Sequence, residues 1–351
     1  MKKILTTAFL GTFILSSYVQ AGNEDRVGSA GASQLLINPW ARSTASADAG
    51  FANTVGLEAQ YTNIAGLALA DKTQIKFNMS KWLGKADINF YSAGFAQRIS
   101  ESSVFAISIQ SMNFGEIDVT TVALPEGQIG VFTPRVNVFN VGYAKKFSSS
   151  ISGGINFKVI SESIDNLKAN GVAIDAGIRY VTGEKDQIKF GIALKNVGPT
   201  MKYKGDGLAR QINYVSSDAF VATMEQRSQQ FEMPSLLNIG ASYDFIFSES
   251  SKLVGMFGFT ANSFSTDQYR LGFDYNLTKE KAAFNIRVGY VYEKNLFSVE
   301  NRTSALTGLT AGFSVDVLSG KNKSPLGIEY AMRMAGPFGY IHTAGITIAI
   351  K

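Results

Sequence analysis

From residue 74 to residue 350 the chain repeats one device: segments of about ten residues in which apolar and polar side chains alternate, split by turn formers. Leu237, Ile239, Ala241, Tyr243, Phe245 and Phe247 interleave with Asn238, Gly240, Ser242 and Asp244. Tyr269, Leu271, Phe273, Tyr275 and Leu277 interleave with Arg270, Gly272, Asp274 and Asn276, and Phe284, Ile286, Val288, Tyr290 and Tyr292 with Asn285, Arg287 and Gly289. Successive side chains of a strand point to opposite faces, so each segment has one greasy face and one polar or tiny face. The half-buried strands of a soluble sandwich alternate too. Length separates the two cases: soluble strands cluster near about 5–6 residues, whereas a tilted strand crossing a bilayer needs about 9–11. The segments here run to about 10–14, so the pattern predicts an all-β transmembrane antiparallel β-barrel.

Strands are predicted near 74–83, 86–99, 103–116, 135–147, 150–162, 170–182 and 187–197, then near 235–247, 252–264, 267–278, 283–296, 305–318, 325–335 and 339–350. That is about fourteen, an even number as in single-chain bacterial barrels. The connections alternate in length. With the first strand rising from the periplasm, the periplasmic turns fall at 100–102, 148–149, 183–186, 248–251, 279–281 and 320–323, all tight and polar. The opposite end receives the long loops 122–134 and 200–234 and the shorter loops 163–169 and 297–304. Short turns inside and long loops outside follow the barrel rule. In 135–147 the aromatic side, with Phe139, Val141 and Tyr143, is expected against lipid, away from Val136, Val138 and Asn140. Tyr180, Tyr290, Tyr292 and Tyr340 fall near strand ends, where an aromatic girdle belongs.

Composition sharpens this picture. Charged residues make up 17% of the 351, against about 25% in typical soluble domains. Aromatics are plentiful, with 25 Phe and 14 Tyr, yet mean hydropathy is near zero. Alternation dilutes an apolar surface in this way. The chain has no cysteine, which excludes disulfides and thiolate metal sites. The net charge of +5 is dispersed, without a basic stripe, so no nucleic-acid partner is expected. At the start, Lys2 and Lys3 precede an apolar run from Ile4 to Ser17, and Val19-Gln20-Ala21 supplies the −3 to −1 positions of a signal peptide cleaved after Ala21.

Catalytic chemistry is not in sight. His342, the one histidine, falls mid-strand on an apolar face, where no Ser-His-Asp array can be assembled around it. A zinc site lacks its usual ligands, and no cofactor motif occurs, so a non-enzymatic protein without cofactor is expected. Charged residues of both signs occupy the inward phase: Lys158, Asp175, Arg179, Lys189 and Lys195, then Arg270, Asp274, Arg287, Glu329 and Arg333. They are expected to satisfy one another, or to meet a plug or a passing ligand. Gly153-Gly154 sits in a strand and reads as curvature or close packing.

Residues 22–73 differ. They lack period two and place a few large anchors (Leu35, Leu36, Ile37, Trp40, Leu57 and Leu67) among Ala, Gly and Ser. So short and weakly patterned a segment makes no core of its own, and is expected to plug the lumen of a barrel over 74–351. It carries S-A-G-A (29–32), then L-L-I-N-P-W-A-R (35–42), A-D-A-G (47–50) and N-I-A-G-L-A (63–68). This order resembles the amino-terminal signature of the PorV/PorQ family of outer-membrane proteins, related in fold to the FadL fatty-acid channel. The plug-motif positions are Asn38, Pro39, Ala41, Arg42, Asn63, Gly66 and Leu67; a second match is G-I-A-L-K-N-V-G-P (191–199). Two departures stand out: the usual Met-Gly pair is replaced within 43–47, and Ile64 stands where a proline is usual.

The resemblance implies a FadL-like barrel of the bacterial outer membrane, associated with type IX secretion. Such a subunit would bind a translocon barrel, the C-terminal domain of exported cargo or the surface-attachment machinery, besides outer-membrane lipid. Alternatives are a FadL-like channel for hydrophobic small molecules and an accessory subunit of another outer-membrane assembly, such as barrel insertion. Apolar side chains on a surface loop mark a partner surface or a loop that buries them itself. Tyr203, Leu208, Tyr214, Phe220, Met224 and Phe231 in 200–234 are the partner-binding candidates, and 122–134 poses the same choice.

Overall fold

The computed structural model describes residues 21–350, apart from 85, 87, 215–219, 299 and 321–323 and the side chains of Asn213, Tyr214 and Phe220. Residues 1–20, with most of the expected export signal, lie outside it.

Each alternating segment forms a strand: β1 (Thr73–Trp82), β2 (Ile88–Arg98), β3 (Ser103–Asn113), β4 (Arg135–Lys146), β5 (Ile151–Ile164), β6 (Leu167–Thr182) and β7 (Ile188–Val197). The second half supplies β8 (Leu236–Ser248), β9 (Ser251–Asn262), β10 (Gln268–Thr278), β11 (Ala282–Glu293), β12 (Gly308–Ser319), β13 (Ser324–Met334) and β14 (Tyr340–Ile350). Among the described residues these fourteen pair antiparallel with their sequence neighbours. The barrel closes where β1 meets β14, from Thr73↔Ile350 to Lys81↔His342. Closure leaves no edge unpaired, as strands in hydrocarbon require. No described helix is long and apolar enough to cross a membrane.

Register sorts the faces. On β1, Phe77 and Met79 point outward and are exposed, while Lys76, Asn78 and Ser80 point inward and are buried. Phe139 and Tyr143 on β4 face outward while Val138 and Asn140 are buried, as the pattern predicts. Outward apolar side chains ring the whole wall, and an apolar surface this continuous has lipid as its natural solvent. Tyr269 and Tyr292 stand 6.4 Å apart in the aromatic band toward the long-loop end. His342 is outward too, its Nδ1 2.6 Å from the Tyr330 hydroxyl.

Two expectations are revised. The predicted surface loop at 163–169 is only a tight turn at Asp165 and Asn166, because alternation runs on through 14 residues of β5 and 16 of β6. Asp165 accepts the positive φ of 46° that the turn needs, which Asp tolerates better than most residues. The strand expected from 305 begins only at Gly308, since Ser304 caps a turn just before it. Between β6 and β7 the register shifts at Asp175, whose Oδ1 accepts the Asn196 backbone N–H at 2.8 Å in place of a ladder bond.

The amino-terminal segment lies inside. It is built from 3₁₀ turns (Ser33–Leu36, Gly56–Gln60 and Ile64–Leu69) and the five-residue helix α1 (Ala41–Ala45). Trp40, Leu57, Ile64 and Leu67 are fully buried between its own turns and the wall of β2 to β4. Inward positions are tiny where the plug backbone leans on the wall. A Cβ on Gly191 would come within 2.2 Å of the Phe51 carbonyl oxygen, and one on Gly289 within 2.6 Å of the Ser46 backbone. The tiny residues of the inward phase thus answer to the plug.

Candidate functional site

The plug is fastened by buried ion pairs at two levels. Asn38 organises the first: its Oδ1 accepts the Trp40 N–H at 2.9 Å, and its Nδ2 donates to Ser43 Oγ at 2.8 Å and to Asp48 Oδ1 at 2.5 Å. The other oxygen of Asp48 pairs with Arg270 of β10 at 3.1 Å and with Arg333 of β13. Burial works against ionisation of Asp48, but Arg333 and Arg270 outweigh it and hold the carboxyl below its usual range. At the second level Arg42 reaches Glu329 of β13 at 2.6 Å and Asp316 of β12 at 2.5 Å. Lys76 of β1 bridges Glu329, at 3.0 Å, to Glu58 of the plug. Glu58 in turn accepts the Ser43 N–H at 2.8 Å.

The remaining motif residues close the backbone. Asn63 caps the last 3₁₀ turn through Ala65 N–H at 3.1 Å and donates to the carbonyls of Phe51 (2.8 Å) and Ile178 (3.1 Å). Pro39 offers its carbonyl to Ser92 Oγ. Ala41 packs on Ala331, and a Cβ on Gly66 would strike the Thr54 carbonyl at 2.0 Å. Ile64, the departure from the family pattern, fills space beside Gly142. All seven plug-motif residues therefore hold the plug. Asp48, of the A-D-A-G stretch, does as much, and so do Glu58 and Lys76, which lie outside the motif. Lys76 was legible in the inward phase of its strand, whereas Glu58 lies where no period marks a face.

The inward charges divide between these roles. Lys158 pairs with Asp175 at 2.7 Å, Lys189 with Asp244 at 2.5 Å and Arg287 with Asp274 at 2.9 Å, all within the wall. Arg179 donates to the plug carbonyl of Ala52 at 2.6 Å. Lys195 sits 3.7 Å from the centroid of the Tyr61 ring.

At the long-loop end the segment 200–234 forms two short ribbons, Met201–Lys202 with Gln230–Phe231 and Ala209–Tyr214 with Phe220–Glu225. The lower ribbon folds onto the barrel. The Tyr203 and Phe231 rings lie 5.7 Å apart, tilted by 36°, and pack on a cluster that includes Leu35, Met201 and Met233. The Tyr203 hydroxyl donates to Glu162 at 2.6 Å; burial, and then this bond and the Glu162 charge, push its phenol above the usual range. Two of the six partner-binding candidates thus cover the mouth. Leu208 is half-buried, Met224 is exposed beside Val221 and Ile212 on the upper ribbon, and the side chains of Tyr214 and Phe220 lie outside the described residues. In 114–134, Val122 is fully exposed, with Leu124, Ile129 and Val131 half so.

The chain's early residues emerge at the same mouth. Gly31 N–H donates to the Glu232 carbonyl at 2.9 Å, Arg26 pairs with Glu232 at 2.6 Å, and Glu24 pairs with Lys294 at 2.8 Å. Below them a cavity of about 270 Å³ reaches down to Asp48, Lys195, Arg270 and Arg333. A second, polar cavity of about 490 Å³ opens toward the short turns and is floored by Arg42, Glu58 and Lys76.

Residues 20–266 match the family described as Type IX secretion system protein PorV. The chain belongs to the PorV family. Among solved structures, the Pseudomonas putida toluene transporter TodX superposes with a TM-score of 0.54 at 11% identity, covering 89% of this chain and 97% of that one. A Pseudomonas aeruginosa FadL homologue superposes at 0.53 and 10% identity, covering 90% and 98%. At such identities the likeness fixes the fold: this PorV-family chain is a FadL-like barrel of the bacterial outer membrane, in contact with its lipid. A 111-residue stretch is 30% identical to the 1,3-beta-glucanosyltransferase gas2 of Schizosaccharomyces pombe, but it covers 30% of this chain and 24% of that protein, and carries no function across.

Proposed function

We propose that this PorV-family barrel is a non-enzymatic subunit of a type IX secretion or surface-attachment complex that binds a polypeptide through its long loops. The partner is a translocon barrel, an exported protein's C-terminal domain or the attachment machinery. One observation carries the reading. The lumen is filled by a plug clamped at two levels, while Ile212, Val221 and Met224 on the upper ribbon and Val122 to Val131 in the neighbouring loop offer apolar side chains to the outside. Apolar groups standing clear of both lipid and core are the usual mark of a protein contact.

A tag in the turn after β4 and gentle solubilisation of outer membranes test it. Co-purification of a large translocon barrel or of secreted cargo, lost when 205–228 is replaced by a short Gly-Ser linker, supports the proposal. Co-purification with the barrel-insertion machinery instead moves the protein to an accessory role there. A second reading, a channel for hydrophobic small molecules, draws support from the toluene transporter and from the mouth cavity. Recovery of a lone barrel that passes such molecules would replace the first reading with this one.

A further inference from the structure

The lipid-facing wall is asymmetric at its long-loop end. On β7 to β12 the outward positions nearest that end are uncharged, among them Val197, Leu237, Tyr269, Tyr292 and Leu309. On β14 and β1 to β6 they include Lys81, Arg135, Lys168 and His342. No outward position of β13, β14 or β1 to β6 carries Asp or Glu; the acids of those strands, Glu162, Asp175 and Glu329, are buried on the inner face. Register joins part of this set into a row: His342 lies beside Lys81, Lys81 beside Asn89, Asn89 beside Asn113 and Asn113 beside Arg135. Lys81 and Arg135 are exposed, and among the described residues neither side chain has an ion pair. They stand three strand spacings apart, about 14 Å, so an anion over the two asparagines is within reach of both extended side chains. Asn113, whose Oδ1 accepts the Gly115 N–H at 3.0 Å, keeps its Nδ2 as a donor. Solvated rim charges would scatter both signs around the barrel. One sign in one sector is the complement of an anion.

The same sector carries a dent. Toward mid-wall β1 presents Phe77 and Met79 outward, and register sets an alanine beside each, Ala93 of β2 beside Phe77 and Ala344 of β14 beside Met79. Small beside large leaves an outward hollow of about 660 Å³, rimmed by Tyr91, Ile109, Ile328 and Ile346 and lined mainly by apolar side chains. Met79, Tyr91 and Ala344 stand two residues below Lys81, Asn89 and His342 on the same strands, so the hollow begins where the polar row ends. A hollow open to hydrocarbon takes an acyl chain. Cations at its upper edge take the phosphate of the same molecule, Arg through its planar fork and Lys as a point charge. We propose that this face binds one outer-leaflet lipid with an anionic phosphate headgroup, the phosphate held between Lys81 and Arg135 and an acyl chain lying along Phe77, Ala93 and Ala344. The site faces the bilayer, away from the loops and from both lumenal cavities, so it stands whether or not the polypeptide-binding reading does.

The test is native mass spectrometry of the purified full barrel, released from detergent micelles titrated with phosphatidic acid. Phosphatidylcholine and diacylglycerol with the same chains serve as the zwitterionic and headless counterparts. The first phosphatidic acid is expected to bind at least fivefold tighter than either, and a large excess of inorganic phosphate should not displace it. Lys81→Gln with Arg135→Gln should bring phosphatidic acid down to the level of diacylglycerol, whereas Lys145→Gln, an outward cation at the opposite end of β4, should leave it unchanged. Ala93→Phe with Ala344→Phe fills the hollow and should weaken all three lipids at least fivefold, with gel migration before and after heating as the control for a folded barrel. Equal binding of the three lipids, displacement by phosphate alone, an equal effect of Lys145→Gln, or folded variants that bind like the wild type would each overturn the proposal. If the alanine variant does not fold, the charge variants and the comparison of lipids on the unaltered protein decide.

Discussion

Asp48, in the plug, and Arg333, on the penultimate strand, form a buried ion pair across 285 positions of sequence. With Arg270 as a second partner of the same oxygen, it ties the plug to β10 and β13 at one point. Removing one member of a buried pair leaves the other charged and dry, at a cost of about 3–5 kcal/mol. Asp48→Ala is therefore expected to release the plug more readily than any surface substitution. The measure is proteolysis of residues 21–72 in the intact barrel, which should accelerate by two orders of magnitude or more where cleavage follows local opening. Cleavage at the wild-type rate would show that the plug is held elsewhere.

Gly191 and Gly289 test the wall from the other side. A valine at either would meet plug backbone instead of a yielding side chain, and overpacking of this kind costs about 1–3 kcal/mol. Gly191→Val should leave the barrel folded and resistant to denaturant while raising its conductance in planar bilayers, because the displaced plug opens the lumen. Gly255, where a Cβ would find only ordinary contacts with Phe245 and Phe273, is the control: Gly255→Ala should conduct like the wild type.

The absence of native cysteine makes topology directly measurable. Phe297→Cys, in the loop before β12, and Val122→Cys stand clear of the barrel and should react with a membrane-impermeant maleimide on intact cells. Glu249→Cys, in a short turn at the opposite end, should react only once the outer membrane is opened. Reversed labelling would invert the assignment of long loops to the outside.

The two ribbons of 200–234 should separate under mutation. Val221→Asp with Met224→Asp alters only exposed side chains and is expected to weaken partner recovery by about tenfold per contact residue, the scale of an interface contact worth about 1–2 kcal/mol, without changing thermal stability. Tyr203→Phe removes the bond to Glu162 and should cost about 1 kcal/mol in the stability of the loop, read by hydrogen exchange across 201–203 and 230–233. Equal loss of partner from both variants would place the contact on the lower ribbon as well.

What the sequence by itself determined is whatever each segment carries locally. Period two in a strand such as 236–248 sets which side chains face lipid without reference to any neighbour, and short polar turns fix the antiparallel order. Strand number and the two faces follow from that; the lack of period two before the first strand marked the plug, and Asn63 and Arg42 were marked by their motif. Tertiary structure alone decided what those residues touch. Glu329 and Lys76 lie 253 positions apart and meet because the last strands close against the first, a relation no local period encodes. Tyr203 and Met224 look alike in sequence, since neither sits in a regular repeat; folding of the loop buries one against Phe231 and leaves the other outside. Lys195 is of the same kind. Its inward phase was plain from the strand, but its contact with the face of the Tyr61 ring emerges only when plug and wall are brought together.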